Sequence, residues 1–444
     1  MEENTQLSLQ FTSISCKKVT ADFSGGEVTS DVGLLAMREI ARKTGIIDKL
    51  AEAIRDERHQ SYIDHDVTEL LSQRIFQIIS GYEDANDANE LRIDPGLKVA
   101  CGRLPSDDHL ASQPTITRFE NSIDTKDLYR IAEVFVDQFI ASYASPPEAI
   151  LLDIDDTEDE THGAQQLSLF NGYHDEYCYM PLFIYEGQTG NLVTCILRPG
   201  KRPSGKEVRT IFKRVITRIR DTWPKVGILI RGDSHFATPE LHTWCDAHNV
   251  YFILGLTKNP VLERLAHGTL AAAHRRYETF GETAREYKAV QYQAGTWDRL
   301  LRVVIMAEVS AKGENLRFVV TNLESSQQSF LYEIAYSGRG QMENFIKDHK
   351  NALKSGRTSC HSFLANSFRV MLHSAAYVIL HTFRKKALAG TPLAKAQFDT
   401  IRLKLLKIGA EVQERKTRLH FTLPASCPVK NIYKLMMQNI ALIT

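Results

Sequence analysis

The chain has no excess of either charge: across 444 residues, 54 Lys and Arg are balanced by 54 Asp and Glu. Such a balance does not advertise a nucleic-acid binder, so any contact of that kind has to come from local patches. The seven cysteines, at positions 16, 101, 178, 195, 245, 360 and 427, are scattered without a CxxC pair. Their scatter argues against a zinc ribbon or a disulfide framework and for a reducing cytosol. No apolar run reaches the ~18 residues of a membrane span. The start, Met-Glu-Glu-Asn-Thr, lacks the basic and apolar regions of a signal peptide. A cytoplasmic location and no membrane partner are therefore expected. Internal repeats and low-complexity tracts are missing too, and the histidines at 162, 174, 235, 242 and 248 do not make a metal spacing such as HExxH. What is there is ordinary soluble composition, 43% hydrophobic and 24% charged, with length for two or three domains.

The order of elements predicts an α/β (α+β) chain. Residues 8–24 alternate weakly into Gly25-Gly26, a hairpin or extended arm. Ser30 or Asp31 can cap a helix through Lys43, closed by Gly45, and helical patterns follow over 46–55, 63–81 and 125–144. Pro114 suits the first turn of a short helix. Residues 1–145 thus read as a mostly helical N-terminal domain, a candidate for DNA binding. The texture then changes. Strands are predicted at 149–155, 177–185, 192–197, 226–230 and 250–255, with helices at 205–221 and 239–248 between the later ones. A three-stranded meander followed by parallel crossovers is the order of an RNase H-like core, expected over 146–256. Residues 257–330 read as a β-rich insertion, 331–390 as the closing helices of the core, and 391–444 as a basic segment with a terminal hairpin.

Acids sit where such a core needs them. Asp153, Asp155 and Asp156 end the first strand, and Asp233 ends the fourth. Alternation puts Asp153 and Asp155 on one face of the strand and Asp156 on the other. Farther on come Tyr336, Arg339, Glu343 and Lys350. At ~100° per residue of α-helix these fall within roughly 60° of one another. A carboxylate for a metal, with cations and a phenol for phosphate, is what phosphoryl transfer on DNA requires. Asp155, Asp233 and Glu343, with Asp153 in reserve, are the candidate ligands of two divalent ions. Magnesium or manganese suits an all-oxygen set. The plainer readings are a solvated helix face and turn-capping aspartates. Basic stretches at 198–220, 347–357 and 384–418 are candidate phosphate tracks or solvated helix faces. His235 stands close to Asp233 and is a further phosphate candidate.

These residues resemble a known family. Tyr336-x2-Arg339-x3-Glu343-x6-Lys350 matches the Y-R-E-K signature of the IS-four-like DDE transposases. Leu152-Asp-Ile-Asp-Asp-Thr157, Asn171-Gly-Tyr173, Arg231-Gly-Asp-Ser-His235 and Ala365-Asn-Ser-Phe-Arg369 are similar to the insertion sequence thirteen-eighty branch. The family pattern Asp-x-Thr selects Asp155 over Asp153. The resemblance implies cut-and-paste transposition at the terminal inverted repeats of an element. It makes Asp155, Asp233 and Glu343 the metal ligands, and Tyr336, Arg339 and Lys350 grips on phosphate. It also implies double-stranded DNA as partner and a homodimer on DNA. Relatives stack a flipped base on a tryptophan of the insertion, a part that Trp297 takes here by analogy. Two alternatives remain: an RNase H-like nuclease without strand transfer, and a non-catalytic DNA-binding derivative.

Overall fold

A computed structural model describes residues 9–443, in two compact units. One gathers the described residues up to Ser122 with those from Ala375 onward; the other runs Ile123–Ser374.

The first unit is helical with small sheets. Helix Leu34–Thr44 ends at Gly45, whose φ of 62° is left-handed, and Ile46–Ala53 starts immediately after. The Asp66 side chain accepts from the Glu69 N–H and so starts helix Val67–Ser80. A buried ion pair, Arg74 to Glu120 at 2.9 Å, ties that helix to Gln113–Ser122. Strands Leu9–Ile14 and Lys17–Ala21 pair as a hairpin. Val28–Thr29 pairs with Ala410–Arg415, which pairs with Arg418–Thr422. Helix Lys430–Ala441, not foreseen from the sequence, comes last.

The second unit is built on an eight-stranded sheet. Its strands are β1 (Ala149–Asp156), β2 (Leu182–Glu186), β3 (Leu192–Ile196), β4 (Gly227–Gly232), β5 (Tyr251–Leu256), β6 (Ala284–Tyr292), β7 (Leu301–Ser310) and β8 (Gly313–Thr321). Their spatial order is β6-β7-β8-β5-β4-β1-β2-β3. β1, β4 and β5 are parallel, and β2 runs antiparallel to both β1 and β3. Period-two alternation sends Ile150, Leu152 and Ile154 into one core, under helices Thr125–Ala141, Gly205–Thr222 and Pro239–Ala247. Asp153 and Asp155 face the other way. On that side Ile253, Val304 and Val319 pack against Leu331, with Ala335 and Tyr336 beside them.

Three elements differ from the sequence-based expectation. The run 177–185 is two strands, because Pro181 has no N–H for a ladder. Its carbonyl instead accepts from the Thr157 N–H at 3.1 Å, and the chain changes sheets. Helix Pro260–Phe280 occupies the start of the expected β-rich stretch. The strands after it extend the main sheet, with β8 pairing on β5. Finally, the segment from Phe330 is no uniform α-helix: a wide π-turn runs Phe330–Tyr336, a tight 3₁₀ turn Ser337–Arg339, then α-helix Gly340–Lys347 and a second π-turn Asp348–Ala352. One helix elsewhere, Phe363–Ala387, has the length and composition of a membrane span, but 83% of its most apolar window is buried in the protein.

Candidate active site

β1 and β4 are neighbours in register, with Arg231 directly across from Asp153. The next outward-facing pair along the same strands is Asp155 and Asp233. The first pair is closed: Arg231 Nε and Nη2 donate to the two oxygens of Asp153 at 2.6 and 2.7 Å, and both side chains are buried. Arg231 Nη1 donates to the Ala335 carbonyl at 2.6 Å, so the same guanidinium pins the start of the Tyr336–Arg339 turn to the sheet. Asp153, the reserve ligand, is therefore occupied as the internal counter-ion of Arg231. In the sequence Arg231 stands out only as the first residue of Arg231-Gly-Asp-Ser-His235, with no role of its own. The available signal was parity: 231 is two before 233, as 153 is two before 155.

The second pair is two acids, each raising the other's cost of ionising. Asp155 is largely buried, and its carboxyl is pushed up to about 7. Loss of hydration is the first cause; the charges of Asp233 and Asp156 add to it and Arg339 opposes it. Arg339 Nη2 lies 2.7 Å from Asp155 Oδ2. Burial works against the Arg339 charge, but Asp155 and Asp233 outweigh it and hold the guanidinium above its usual pKa. Because residues i and i+3 eclipse in a 3₁₀ turn, Tyr336 and Arg339 project together toward these acids. Burial raises the Tyr336 phenol above its ordinary value. Gly255 makes room for it: a Cβ there would fall 2.7 Å from the Tyr336 hydroxyl and 3.0 Å from the Ser234 nitrogen.

Asp156 points to the opposite face, where Arg198 Nη1 and His235 Nδ1 each stand 3.6 Å from its carboxylate. That carboxylate, and then Asp233, raises the His235 pKa. Asp233 accepts from the His235 N–H at 2.8 Å.

The remaining expected residues lie apart from this centre. Glu343 is exposed one turn past Arg339, and its ion partner is Lys347 at 3.9 Å. Lys350 is engaged within the protein: its Nζ lies 3.0 Å from Glu158 Oε1, 3.2 Å from Thr157 Oγ1 and 3.6 Å from Asp159, and it also donates to the Glu158 carbonyl. Asp159 is buried, which pushes its carboxyl up to about 8 despite Lys350. Trp297 is only 7% exposed and stands edge-on to His242 and Tyr292, so its ring packs in the core.

The donor set can be weighed against a divalent cation. Asp155 and Asp233 are hard oxygen donors whose mutual repulsion a cation would relieve. Those features fit such an ion. No complete set of three His, Cys, Asp or Glu side chains is poised for a metal among the described residues. Arg339 supplies the positive charge at Asp155.

Comparison with known proteins gives three results. No curated protein matches. Among solved structures, a piggyBac transposase in a synaptic complex with hairpin DNA is similar to the chain at 12% identity and a TM-score of 0.44, over 94% of this chain and 85% of that one. A family model described as transposase DDE domain, group 1, matches residues 11–444, and the chain belongs to that family.

Proposed function

We propose that the protein is a metal-dependent DNA transposase of the IS-four-like group, insertion sequence thirteen-eighty branch, that cuts its element at the terminal inverted repeats and joins the ends to a target. The observation that supports this most is the convergence of Asp155 and Asp233 at the carboxyl ends of adjacent parallel strands, under Tyr336 and Arg339. The order β3-β2-β1-β4-β5, with only β2 reversed against its neighbours, supports an RNase H-like core for this site.

Asp155 and Asp233 would hold magnesium or manganese, which when bound polarises a phosphoryl oxygen and lowers the pKa of the attacking water or hydroxyl. The chain's own groups do the rest. Arg339 offers a planar fork of donors to a phosphate once it leaves Asp155. Tyr336 adds a hydroxyl donor on the same side. Arg231, by fixing the Ala335 carbonyl, keeps both groups over the acids. Glu343 is the third ligand by resemblance, and reaching the acids requires its turn to move as DNA binds. A homodimer would hold the two element ends together.

The test is a strand-transfer assay with DNA carrying the inverted repeats that flank the reading frame, in Mg²⁺. Ends joined to a target plasmid are expected, and Asp233→Asn should abolish cutting and joining while DNA binding persists. Cleavage without joining would make the protein a nuclease. Full activity of the variant would refute the site.

A further inference from the structure

Shortly after β1 the chain forms a hairpin whose aromatic rings face water. Strands Leu169–Asn171 and Glu176–Tyr179 pair antiparallel, placing Phe170 opposite Tyr177 with their rings 5.5 Å apart. Tyr173 stands at the turn, its N–H donated to Asn171 Oδ1 at 3.0 Å. Phe170, Tyr173 and Tyr177 are 52%, 88% and 60% exposed. The elements beneath them are fixed. Strand Asp159–Glu160, only three residues past Asp156, pairs with Tyr179 and Cys178. Farther along the chain, Gly200 presses on the hairpin so closely that a Cβ would lie 2.3 Å from the Cys178 carbonyl and 2.6 Å from that of Leu169.

That contact leads straight to positive charge. Lys201 and Arg202 follow Gly200 and are exposed. Arg202 Nη2 donates to the Ser234 and His235 carbonyls at 2.9 and 3.0 Å, which joins this loop to the Asp233 end of β4. The hairpin's own turn carries Asp175 and Glu176, so the cations that complement a phosphate strand come from the loop and not from the hairpin.

We propose that Phe170, Tyr173 and Tyr177 are a stacking platform for unpaired bases of a DNA strand, whose phosphates follow Lys201 and Arg202 toward Asp155 and Asp233. This rests on the DNA-processing reading given above. Aromatic faces stack on any base, and a cationic track beside them holds the backbone; together these recognise a single strand without reading its sequence. A paired duplex offers its base faces to nothing. Tyrosine suits a surface that is wet when unoccupied, since its ring is apolar and its hydroxyl is solvated. Trp297, the expected stacking residue, is buried elsewhere in the unit.

The test uses the full chain and two fluorescein-labelled probes, a short oligothymidylate and a mixed-sequence duplex, read by anisotropy. Phe170→Ala/Tyr173→Ala/Tyr177→Ala removes exposed rings only, and circular dichroism checks its fold. The expected result is at least a ~tenfold loss of affinity for the single strand with duplex affinity within about twofold. The Phe170→Trp/Tyr173→Trp/Tyr177→Trp variant should retain single-strand binding. An unchanged single-strand affinity, or an equal loss on both probes, would overturn the platform while leaving the transposase reading intact. A wild-type chain that binds neither probe would sink the DNA reading itself, and the platform with it. A variant that changes sedimentation from dimer to monomer with single-strand binding unaltered would assign the face to a second copy of the chain and refute the proposal.

Discussion

Arg339 holds Asp155 by a 2.7 Å ion pair at the point where the sheet brings two carboxylates together. A guanidinium cannot lose its proton in a protein. It therefore competes with any divalent ion for Asp155. Arg339→Ala should tighten Mn²⁺ binding several-fold in the absence of DNA, followed by electron paramagnetic resonance of the free ion, while lowering strand transfer. Unchanged or weaker Mn²⁺ binding would mean that Arg339 does not stand in for the ion.

The Arg231–Asp153 pair leads to a prediction about stability. Asp153 has no exposed surface, and Arg231 holds both of its oxygens. Truncation in Arg231→Ala strands a buried carboxylate and should cost roughly 3–5 kcal/mol. Replacing both partners, Asp153→Leu/Arg231→Met, should cost less than Arg231→Ala alone, because no charge is left unpaired. Denaturant unfolding followed by tryptophan fluorescence reads this unit selectively, since Trp223, Trp244 and Trp297 all lie within Ile123–Ser374. A double variant less stable than the single one would show that the pair stabilises by more than mutual neutralisation.

How much of this was legible in the sequence differs by element. β1 and β4 announce themselves as short apolar runs ending in aspartate, and alternation alone separates Asp153 and Asp155 from Asp156. Helix Pro260–Phe280 had its punctuation in plain view: Asn259 as cap, Pro260 in the first turn and left-handed Gly281 at the end. Its weakly amphipathic interior, interrupted by Gly268, hid it. The Tyr336–Lys350 face assumed a uniform 100° turn, and the π and 3₁₀ turns break that assumption. Tyr336 and Arg339 still reach the acids, whereas Glu343 and Lys350 do not. Trp297 could not be placed, because whether a tryptophan is buried depends on neighbours such as His242, distant in sequence.

Gly255 is a site where one methyl group tests the geometry of Tyr336. A Cβ at 2.7 Å from the phenol oxygen must push that ring away from Asp233. Gly255→Ala should destabilise by roughly 1–3 kcal/mol, as overpacking does, and reduce cleavage. Adding Tyr336→Phe removes the clashing oxygen and should recover much of the stability without recovering the activity. Recovery of neither would place the strain at the Ser234 backbone.

The last prediction concerns acid. His242 is buried, lies face to face with Phe252 at 4.7 Å, and has no hydrogen-bond partner on either ring nitrogen. Burial lowers its pKa to about 4 from an ordinary 6.5. The folded protein keeps this ring neutral while the unfolded chain protonates it, so the unfolded state binds more protons between those two values. Stability from this group is complete above pH 6.5 and is lost as pH falls toward 4, on the order of 3 kcal/mol in all. His242→Leu removes the titration and two unsatisfied nitrogens. At pH 7.5 the variant should match or exceed the wild type, and between pH 6.5 and 4 its fluorescence-detected unfolding midpoint should fall less steeply. Equal slopes for the two proteins would move the acid sensitivity to another group; buried His349, whose pKa burial lowers to about 3, is the next to test.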